Sequence, residues 1–446
     1  MKFGMNPQAK ELNSIISKHN PVVLNLLSDK GKNIFFPKKG ILGQTAEAKG
    51  KRINATIGAA IEDDGSPMRL VSIQDQIYIE PASVFPYAPS FGRSDLRNHW
   101  KSMIKTKNPS LGKLNISNPV VTNALTHGLS MVGYLFANQN EEIILSDLYW
   151  GNYNLIFTHA YNTTFNTFKL FDGNDFNLKS FEKTVLSSSV GKKMILLNFP
   201  NNPTGYTPTS LEIEKITQII YEAASKGNHL VIIIDDAYFG LVYENGFEKE
   251  SIFTRIADLH ENVLAIKIDG ATKEDYVWGF RVGFITYGIK NGSSELYEAL
   301  ENKTAGAVRG SISNASNLSQ SILLKAFNSS YYEKDKSLKY NILEKRYKKV
   351  KSILSNVKYK EYIKPLPFNS GYFMCVELKE GLNGEAIRQT LLHKYQTGII
   401  NLSNVFRIAF SSVSEDKIEE LFDNIMYACH EFEATDNSKS CSISDN

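Results

Sequence analysis

Short apolar runs alternate with amphipathic stretches through the middle of this chain, and this alternation limits its fold more than any other feature. Strands alternating with helices are typical of a mainly parallel sheet covered by helices on both faces. The apolar runs of strand length are residues 143–145, 194–197, 230–234, 263–268 and 282–286. The sequence therefore predicts an α/β fold in which a large domain contains such a sheet.

One amphipathic stretch carries both start and stop signals for a helix. Thr209 and Glu212 match a capping box, in which each side chain satisfies a backbone N–H of the other. Apolar residues then recur on one helical face, and Gly227 follows as a stop signal. We therefore predict a helix between the strands at 194–197 and 230–234.

The last hundred residues have a different pattern. The segments "YFMCVEL" and "VFRIAF" are typical of short strands, and a helix with Ile418, Leu421, Phe422 and Ile425 on one face is predicted after Ser414. This pattern favours a smaller α+β domain. The predicted division is an N-terminal segment at 1–84 that packs with the small domain, a large domain at 85–330, the small domain at 331–433 and a disordered tail at 434–446.

Composition and charge exclude several classes of function. The 446 residues suffice for two or three domains. With 50 basic and 47 acidic residues, the chain has no charge pattern for nucleic acid or an anionic membrane. Its apolar runs are far shorter than the roughly 20 residues of a membrane helix. Three cysteines without a CxxC pair predict no metal site and no disulfide framework, and the N-terminus has no signal-peptide pattern, so we expect a cytoplasmic protein.

Polar residues directly follow three of the predicted strands. The segments are "NFPNNPTG" after 194–197, "DDAYFG" after 230–234 and "GATK" after 263–268. Ligands of open parallel sheets bind outside the carboxyl ends of the strands. We therefore expect these segments to converge on one binding site.

The residue types in these segments point to one cofactor. Lys273 lies among small and apolar residues, which favours a lowered pKa and a Schiff-base nucleophile over an ordinary surface lysine. Arg281 is suited to clamp a phosphate, or alternatively to pair with an acid. Asp235 is placed to hold a pyridine nitrogen protonated, unless it caps a helix, a role that Asp236 fills equally well. A lysine, a phosphate anchor and an acid together predict pyridoxal 5'-phosphate.

Two further side chains complete the predicted cofactor contacts. Tyr238 and Asn202 are placed to donate hydrogen bonds to the phenolic oxygen of the cofactor ring. With them, three motifs stand in order along the chain: "NNPTG" at 201–205, "DDAY" at 235–238, and a lysine and an arginine eight residues apart. On these motifs the chain resembles the fold-type-I pyridoxal-phosphate aminotransferases of class I/II, the aspartate-aminotransferase-like group, over roughly residues 54–413.

The resemblance implies further cofactor contacts. "NALTHGLS" matches the phosphate-binding helix start, where the backbone amides of Ala124 and Leu125 and the hydroxyl of Thr126 would hold phosphate. "DLYWGNY" implies that Trp150 stacks on the cofactor ring. "YAPSFG" implies that Tyr87 reaches the phosphate of a neighbouring subunit, and hence a homodimer with shared active sites.

The resemblance also implies the substrate contacts. "NATIGAA" places Gly58 near the substrate carboxylate, and "NVFRIAF" gives Arg407 as the residue that binds the α-carboxylate. "AVRGSISN" places Arg309 where dicarboxylate-specific relatives bind the distal carboxylate, although it serves equally well to brace an interface. The implied activity is amino-group transfer between an L-amino acid and a 2-oxo acid, with glutamate and 2-oxoglutarate as one pair.

The chain departs from the family pattern at two cofactor positions. The phosphate-binding turn near Ala124 often has glycine in relatives, and here it reads Ala-Leu. Relatives often carry a phosphate-binding serine three residues before the lysine, where this chain has Gly270. Either Thr272 supplies the missing hydroxyl, or the phosphate has one donor fewer.

Other functions remain open to different degrees. A lyase or decarboxylase of the same fold uses the same cofactor residues, so the sequence separates it poorly from an aminotransferase. A regulator with an aminotransferase-like domain needs a DNA-binding module, and none is recognisable. A nicotinamide dehydrogenase is disfavoured because no G-x-G-x-x-G follows a strand.

Overall fold

The computed structural model describes residues 5–37, 40–187 and 189–443, and its strands form two main sheets. The strands are β1 (Ile53–Asn54), β2 (Val120–Thr122), β3 (Glu142–Ser146), β4 (Thr164–Phe168), β5 (Phe171–Asp172), β6 (Asp175–Phe176), β7 (Lys192–Asn198), β8 (His229–Asp235), β9 (Val263–Asp269), β10 (Gly283–Gly288), β11 (Ile363–Pro365), β12 (Met374–Leu378), β13 (Thr397–Gly398), β14 (Ile400–Leu402) and β15 (Val405–Ile408).

Helices connect and cover these strands. They are α1 (Pro7–His19), α2 (Pro21–Leu26), α3 (Asp29–Asn33), α4 (Ile41–Glu47), α5 (Val71–Gln74), α6 (Ser94–Lys107), α7 (Ala124–Phe136), α8 (Leu178–Leu186), α9 (Ser210–Ser225), α10 (Phe253–Ile256), α11 (Ala271–Glu274), α12 (Ser294–Ile312), α13 (Asn317–Phe327), α14 (Tyr332–Ser355), α15 (Gly384–His393) and α16 (Ile418–Ile443). A π-helical turn, Asn154–His159, precedes β4.

In the described part of the chain, the larger sheet has seven strands in the order β2-β10-β9-β8-β7-β3-β4. We call it the central sheet. Strands β3, β4, β7, β8 and β9 run parallel, whereas β10 is antiparallel to both β9 and β2. The predicted α/β fold with a mainly parallel sheet is confirmed. The predicted run at 282–286 lies in the antiparallel strand β10. The loop that carries Arg281 turns the chain back at the end of β9, so β10 runs in the opposite direction to β9.

Both faces of the central sheet are buried. Successive side chains of β8 point to opposite faces, so Ile232 and Ile234 join one hydrophobic cluster while Val231 and Ile233 join the other. This double burial explains why the strands read as continuous apolar runs and not as alternating ones.

The helix predicted from the capping box is confirmed as α9. The Thr209 hydroxyl accepts the backbone N–H of Glu212, and the Glu212 carboxylate accepts the backbone N–H of Thr209. Gly227 follows the helix with φ +90°, a conformation that favours glycine. The capping box stabilises the start of α9, the helix that connects β7 to β8. The segments "NNPTG" and "DDAY" follow or end these two strands.

The second main sheet, called here the C-terminal sheet, has the order β11-β12-β15-β14 and is antiparallel. Its two inner strands are those predicted from "YFMCVEL" and "VFRIAF". Helix α16 begins after a short 3-10 turn, and the apolar face predicted for it is fully buried.

The N-terminal segment contacts this part of the chain. Strand β1 pairs with β13, and Gln44 of α4 exchanges hydrogen bonds with the backbone of Asn401. The domain boundaries themselves stay a prediction. Helix α16 continues through 434–443, within the predicted disordered tail, whereas residues 444–446 and 1–4 lie outside the described residues. Within the described ranges, the helices are all too short or too polar to cross a membrane.

A buried lysine lies beneath the carboxyl ends of β8 and β9. Lys267 is 0% exposed, and its ammonium group pairs with Asp236 and lies 3.2 Å from the Asp269 carboxylate. Ser251 and the Trp100 indole N–H donate hydrogen bonds to these two carboxylates. The cluster therefore holds two strand ends together, immediately below the segments that carry Asp235 and Lys273.

We expect Lys267→Met to lower the free energy of unfolding by about 3–5 kcal/mol, because it leaves two buried carboxylates without their cation. Chemical denaturation of the variant and parent measures this. Lys192→Met is the control: Lys192 pairs with Glu141 at the surface, and such a pair contributes at most about 1 kcal/mol. An equal loss in both variants would contradict the role given to the buried cluster.

Candidate active site

A cavity of about 420 Å³ opens at the carboxyl ends of the parallel strands. Its size is in the range of small-molecule and cofactor sites. Of the site residues predicted from the sequence, the following line it: Gly58, Ala124, Leu125, Thr126, Trp150, Asn202, Asp235, Tyr238, Thr272, Lys273, Arg281 and Arg407. The structure thus brings together segments that are up to about 350 residues apart.

Asp235 ends β8 and is held by two hydrogen bonds. Its Oδ2 accepts the Tyr153 hydroxyl at 2.6 Å, and its Oδ1 accepts the backbone N–H of Ala237 at 3.1 Å. Burial raises the pKa of Asp235 to about 6, while these hydrogen bonds oppose the rise. The carboxylate is therefore oriented, and it is poised to ionise fully once a cation faces it.

The helix-cap alternative for Asp235 and Asp236 is wrong. No helix begins after these residues within the described chain until α10, at Phe253. Asp236 instead points away from the cavity and pairs with Lys267.

Lys273 belongs to the single turn α11, directly after β9. Its Nζ donates to the Gly58 carbonyl at 3.1 Å and lies 5.4 Å from the centre of the Tyr238 ring. Burial and the nearby Arg281 guanidinium lower the pKa of Lys273 to about 8, against the opposing effect of Asp235. The lowered pKa increases the unprotonated, nucleophilic fraction of this amine near neutral pH, compared with an ordinary lysine.

The N-terminus of α7 lines one part of the cavity. Ala124 begins the helix with φ 62°, and Gly283 of β10 packs directly on it: a Cβ at Gly283 would lie 2.7 Å from the Ala124 carbonyl carbon. Ala124, Leu125 and Thr126 line the same cavity as Arg281. A helix N-terminus beside a guanidinium is suited to bind a phosphate dianion.

Gly270 has no space for a side chain. A Cβ there would lie 2.6 Å from the Val282 carbonyl oxygen and 2.9 Å from the Cα of Gly283, both backbone atoms. A serine at this position is therefore sterically excluded. Thr272 lines the cavity two residues later, and its buried hydroxyl has no partner in the described structure.

Asn202 and Tyr238 line the same cavity as Asp235. Asn198, at the end of β7, accepts the Asn202 backbone N–H at 2.8 Å and donates to the Asp235 carbonyl at 2.8 Å. These two hydrogen bonds link the loop that carries Asn202, after β7, to Asp235 at the end of β8. Within the described residues, the Asn202 side-chain Oδ1 is buried without a hydrogen-bond partner.

Arg407 enters the cavity from β15 of the C-terminal sheet. It is 3% exposed, its guanidinium lies 4.4 Å from the centre of the Phe373 ring, and its Nη2 donates to the Thr56 carbonyl at 2.9 Å. Its Nε is buried without a partner in the described structure. A buried, incompletely paired guanidinium is suited to bind a carboxylate.

Two predicted residues do not reach this cavity. Tyr87 is 91% exposed, and Arg309 lies on the exposed face of α12. Both were expected to act across a subunit interface, and in the single chain both point to solvent.

Several cavity residues escaped the sequence reasoning. Tyr153 stands three residues after Trp150, and this closeness in sequence to a predicted site residue was the available signal. Asn198 was signalled by its place at the end of an apolar strand. Ile41, Leu42 and Thr45 line the cavity from α4, and no local pattern links that helix to the site.

The residues present fit pyridoxal 5'-phosphate. The cavity combines a nucleophilic amine, a carboxylate for the ring nitrogen and a helix start beside Arg281 for the phosphate. The buried Thr272 Oγ1, which has no partner in the described chain, is the kind of atom that a bound phosphate satisfies.

Comparison with known proteins places the chain among similar enzymes. It is 24% identical over 328 residues to the probable aspartate/prephenate aminotransferase of Rickettsia felis, covering 68% of this chain and 73% of that protein. A shorter match, 32% identical over 138 residues, links it to the aspartate aminotransferase of Bacillus sp. (strain YM-2) and covers 30% of each.

Solved structures share the fold. An aminotransferase from Anaerococcus prevotii superposes with a TM-score of 0.80 at 23% identity, covering 91% of this chain and 99% of that one. The kynurenine aminotransferase of Pyrococcus horikoshii superposes with a TM-score of 0.75 at 17% identity, covering 92% and 98%.

The family model for aminotransferase class I and II matches residues 73–425, most of the chain. The chain therefore belongs to the aminotransferase class I and II family, and it is a pyridoxal-phosphate-dependent transaminase.

Proposed function

We propose that this transaminase moves an amino group between an L-amino acid and a 2-oxo acid, with glutamate and 2-oxoglutarate as one pair. The observation that carries the proposal is one cavity in which the amine of Lys273, the carboxylate of Asp235 and the guanidinium of Arg407 face the same space. The first two suit the cofactor, and the third suits the α-carboxylate of the substrate.

The bound cofactor supplies an aldehyde for the amino group and a ring that accepts electrons from the substrate's α-carbon. Asp235, held by Tyr153, would keep the ring nitrogen protonated. Tyr238 and Asn202 would donate to the phenolic oxygen, and Trp150 would lie against the ring. The amides of Ala124 and Leu125, with Thr126, Thr272 and Arg281, would hold the phosphate. These roles follow from the family resemblance and from the side chains' places around the cavity.

Lys273 would have two roles. Its Nζ would hold the cofactor covalently, and as a free amine Nζ would act as the base that takes the α-proton of the substrate and gives a proton back. The lowered pKa of Lys273, about 8, supports this, because a base must be unprotonated to accept a proton.

Arg407 orients the substrate for this proton transfer. Its guanidinium binds the α-carboxylate. Gly58 and its neighbour Ile57 line the same cavity. Because Arg407 already bonds to the Thr56 carbonyl, its position is fixed before the substrate arrives.

We propose a homodimer in which Tyr87 and Arg309 enter the partner's site. Three aromatic side chains, Tyr78, Phe85 and Tyr87, are 84–94% exposed within ten residues of sequence, which favours a covering partner. Arg309 would then favour aspartate or glutamate as the donor, or else brace the interface. The donor and the cytoplasmic location stay predictions, and a lyase or decarboxylase of the same fold is the alternative function.

The central test is a product assay on the purified protein. With aspartate, phenylalanine, alanine or methionine as donor and 2-oxoglutarate as acceptor, we expect glutamate and the matching 2-oxo acid in equal amounts. Release of ammonia or CO2 in place of glutamate would favour the lyase or decarboxylase. Lys273→Ala should abolish turnover and borohydride fixation of the cofactor to the chain, while the exposed Lys290→Ala should change neither.

Tyr153→Phe should raise the pKa of Asp235 above its value of about 6, because the variant loses a hydrogen bond that stabilises the ionised carboxylate. Asp235 then protonates at higher pH, so the acid limb of the pH profile of kcat/KM should move upward. The control is Tyr149→Phe, since Tyr149 is stacked near Tyr153 but bonds to Asn154. An unmoved acid limb would contradict the role of Tyr153.

Thr272→Val should weaken the binding of pyridoxal phosphate about 10- to 100-fold, the loss expected for one hydrogen bond to a charged group. Pyridoxal, which lacks the phosphate, should bind both proteins equally, and Thr272→Ser should bind the phosphate form normally. Titration of the cofactor-free protein by absorbance measures these affinities. Equal losses for both ligands would mean that Thr272 does not contact the phosphate.

A further inference from the structure

Glu274, the residue directly after Lys273, points away from the cavity into a second buried site. It is 8% exposed, and its carboxylate lies 2.8 Å from the Lys107 ammonium group of α6 and 2.7 Å from the Lys336 ammonium group of α14. Consecutive residues of one short turn therefore face opposite ways, one into the cofactor cavity and one into an ion-pair cluster.

The space for this carboxylate is built into the turn after β8. Gly240 has φ +85°, and a Cβ there would lie 2.4 Å from Glu274 Oε1. The turn that contains Gly240, shortly after Asp235 and Tyr238, thus packs on the carboxylate of Glu274. Neither the cofactor contacts nor the family motifs account for this arrangement.

The cluster continues beyond Glu274. Asp275 is fully buried, lies 3.3 Å from the Lys336 ammonium group and accepts the Tyr332 hydroxyl. The Tyr372 hydroxyl donates to the Lys273 carbonyl at 2.6 Å. The turn α11 has only four residues, and these contacts from α6, α14 and the segment before β12 hold it in place.

We propose that Glu274 is a positioning residue that, through Lys107 and Lys336, holds the turn of Lys273 so that its amine stays aimed into the cavity when it is not covalently linked. This inference rests on the proposed role of Lys273. The need is specific: while the amine is free, the covalent bond no longer restrains it, and a four-residue turn has little stability of its own. A misplacement of about 1 Å is enough to slow such a step about 100-fold.

The variant Glu274→Gln tests this, since it keeps the shape of the side chain and removes its charge. Cofactor-free protein is mixed with pyridoxal 5'-phosphate, and the absorbance of the lysine–cofactor link is followed in time. We expect the link to form at least tenfold more slowly than in the parent. Pyridoxamine 5'-phosphate fills the same cavity but forms no link, and we expect its affinity to stay within twofold of the parent.

Glu301→Gln is the matched control. Glu301 is also 8% exposed and pairs with Arg97 at 2.7 Å, but it lies on α12, outside the cavity lining. We expect it to form the link at the parent rate. Glu274→Asp is the second variant, for use if Glu274→Gln does not fold: it retains the charge but shortens the reach, and should also slow the link several-fold.

The outcomes separate the two proposals. The positioning role is overturned if the Glu274 variants form the link at the parent rate, if Glu301→Gln slows it as much, or if pyridoxamine phosphate affinity falls by the same factor as the rate. Because the measurement needs only the chain and its cofactor, a parent that forms the link but produces no glutamate would overturn the proposed transamination and leave the role of Glu274 intact.

Discussion

The pairing register of β8 and β9 is the constraint on which the rest of the site depends. Asp235 pairs with Ile268 in the sheet, so the carboxylate at the end of one strand and the turn of Lys273 after the next leave the sheet side by side. Burial on both faces specifies that register, because a slip by one residue would exchange the two hydrophobic clusters. The Lys267 cluster secures the same strand ends with charge. The core thus fixes the relative positions of the two strand ends that lead to the acid and the amine.

Much of this arrangement could be predicted from the sequence. The apolar runs gave the parallel strands, Thr209 and Glu212 gave the start of α9, and polar residues after three strands indicated the cavity edge. These predictions succeeded because each depends on a local feature of the sequence. The features are the spacing of apolar residues, the capping of a helix and the position of a residue directly after a strand. The direction of β10 was not predictable in this way, because an apolar run has the same pattern in either direction.

What escaped prediction depends on contacts between distant segments. Nothing near α4 signals that Ile41 and Leu42 reach a cavity built around residues 198–281. The hydroxyl of Tyr153 bonds to a carboxylate 82 residues away, and the partner of Asp236 proved to be a strand lysine and not a helix N-terminus. Steric exclusion at Gly270 arises from the backbone of Val282 and Gly283, so a departure from the family motif became intelligible only with the neighbouring strand in place.

The attachment of α4 has a consequence for the shape of the cavity. This helix lines the cavity and bonds through Gln44 to Asn401 in β14, a strand of the C-terminal sheet that also carries Arg407. The guanidinium is fastened in turn to Thr56, just after β1. Through these bonds, α4 and the Arg407 guanidinium are both tied to the same part of the chain, so one wall of the cavity and its buried guanidinium are held by a shared set of contacts.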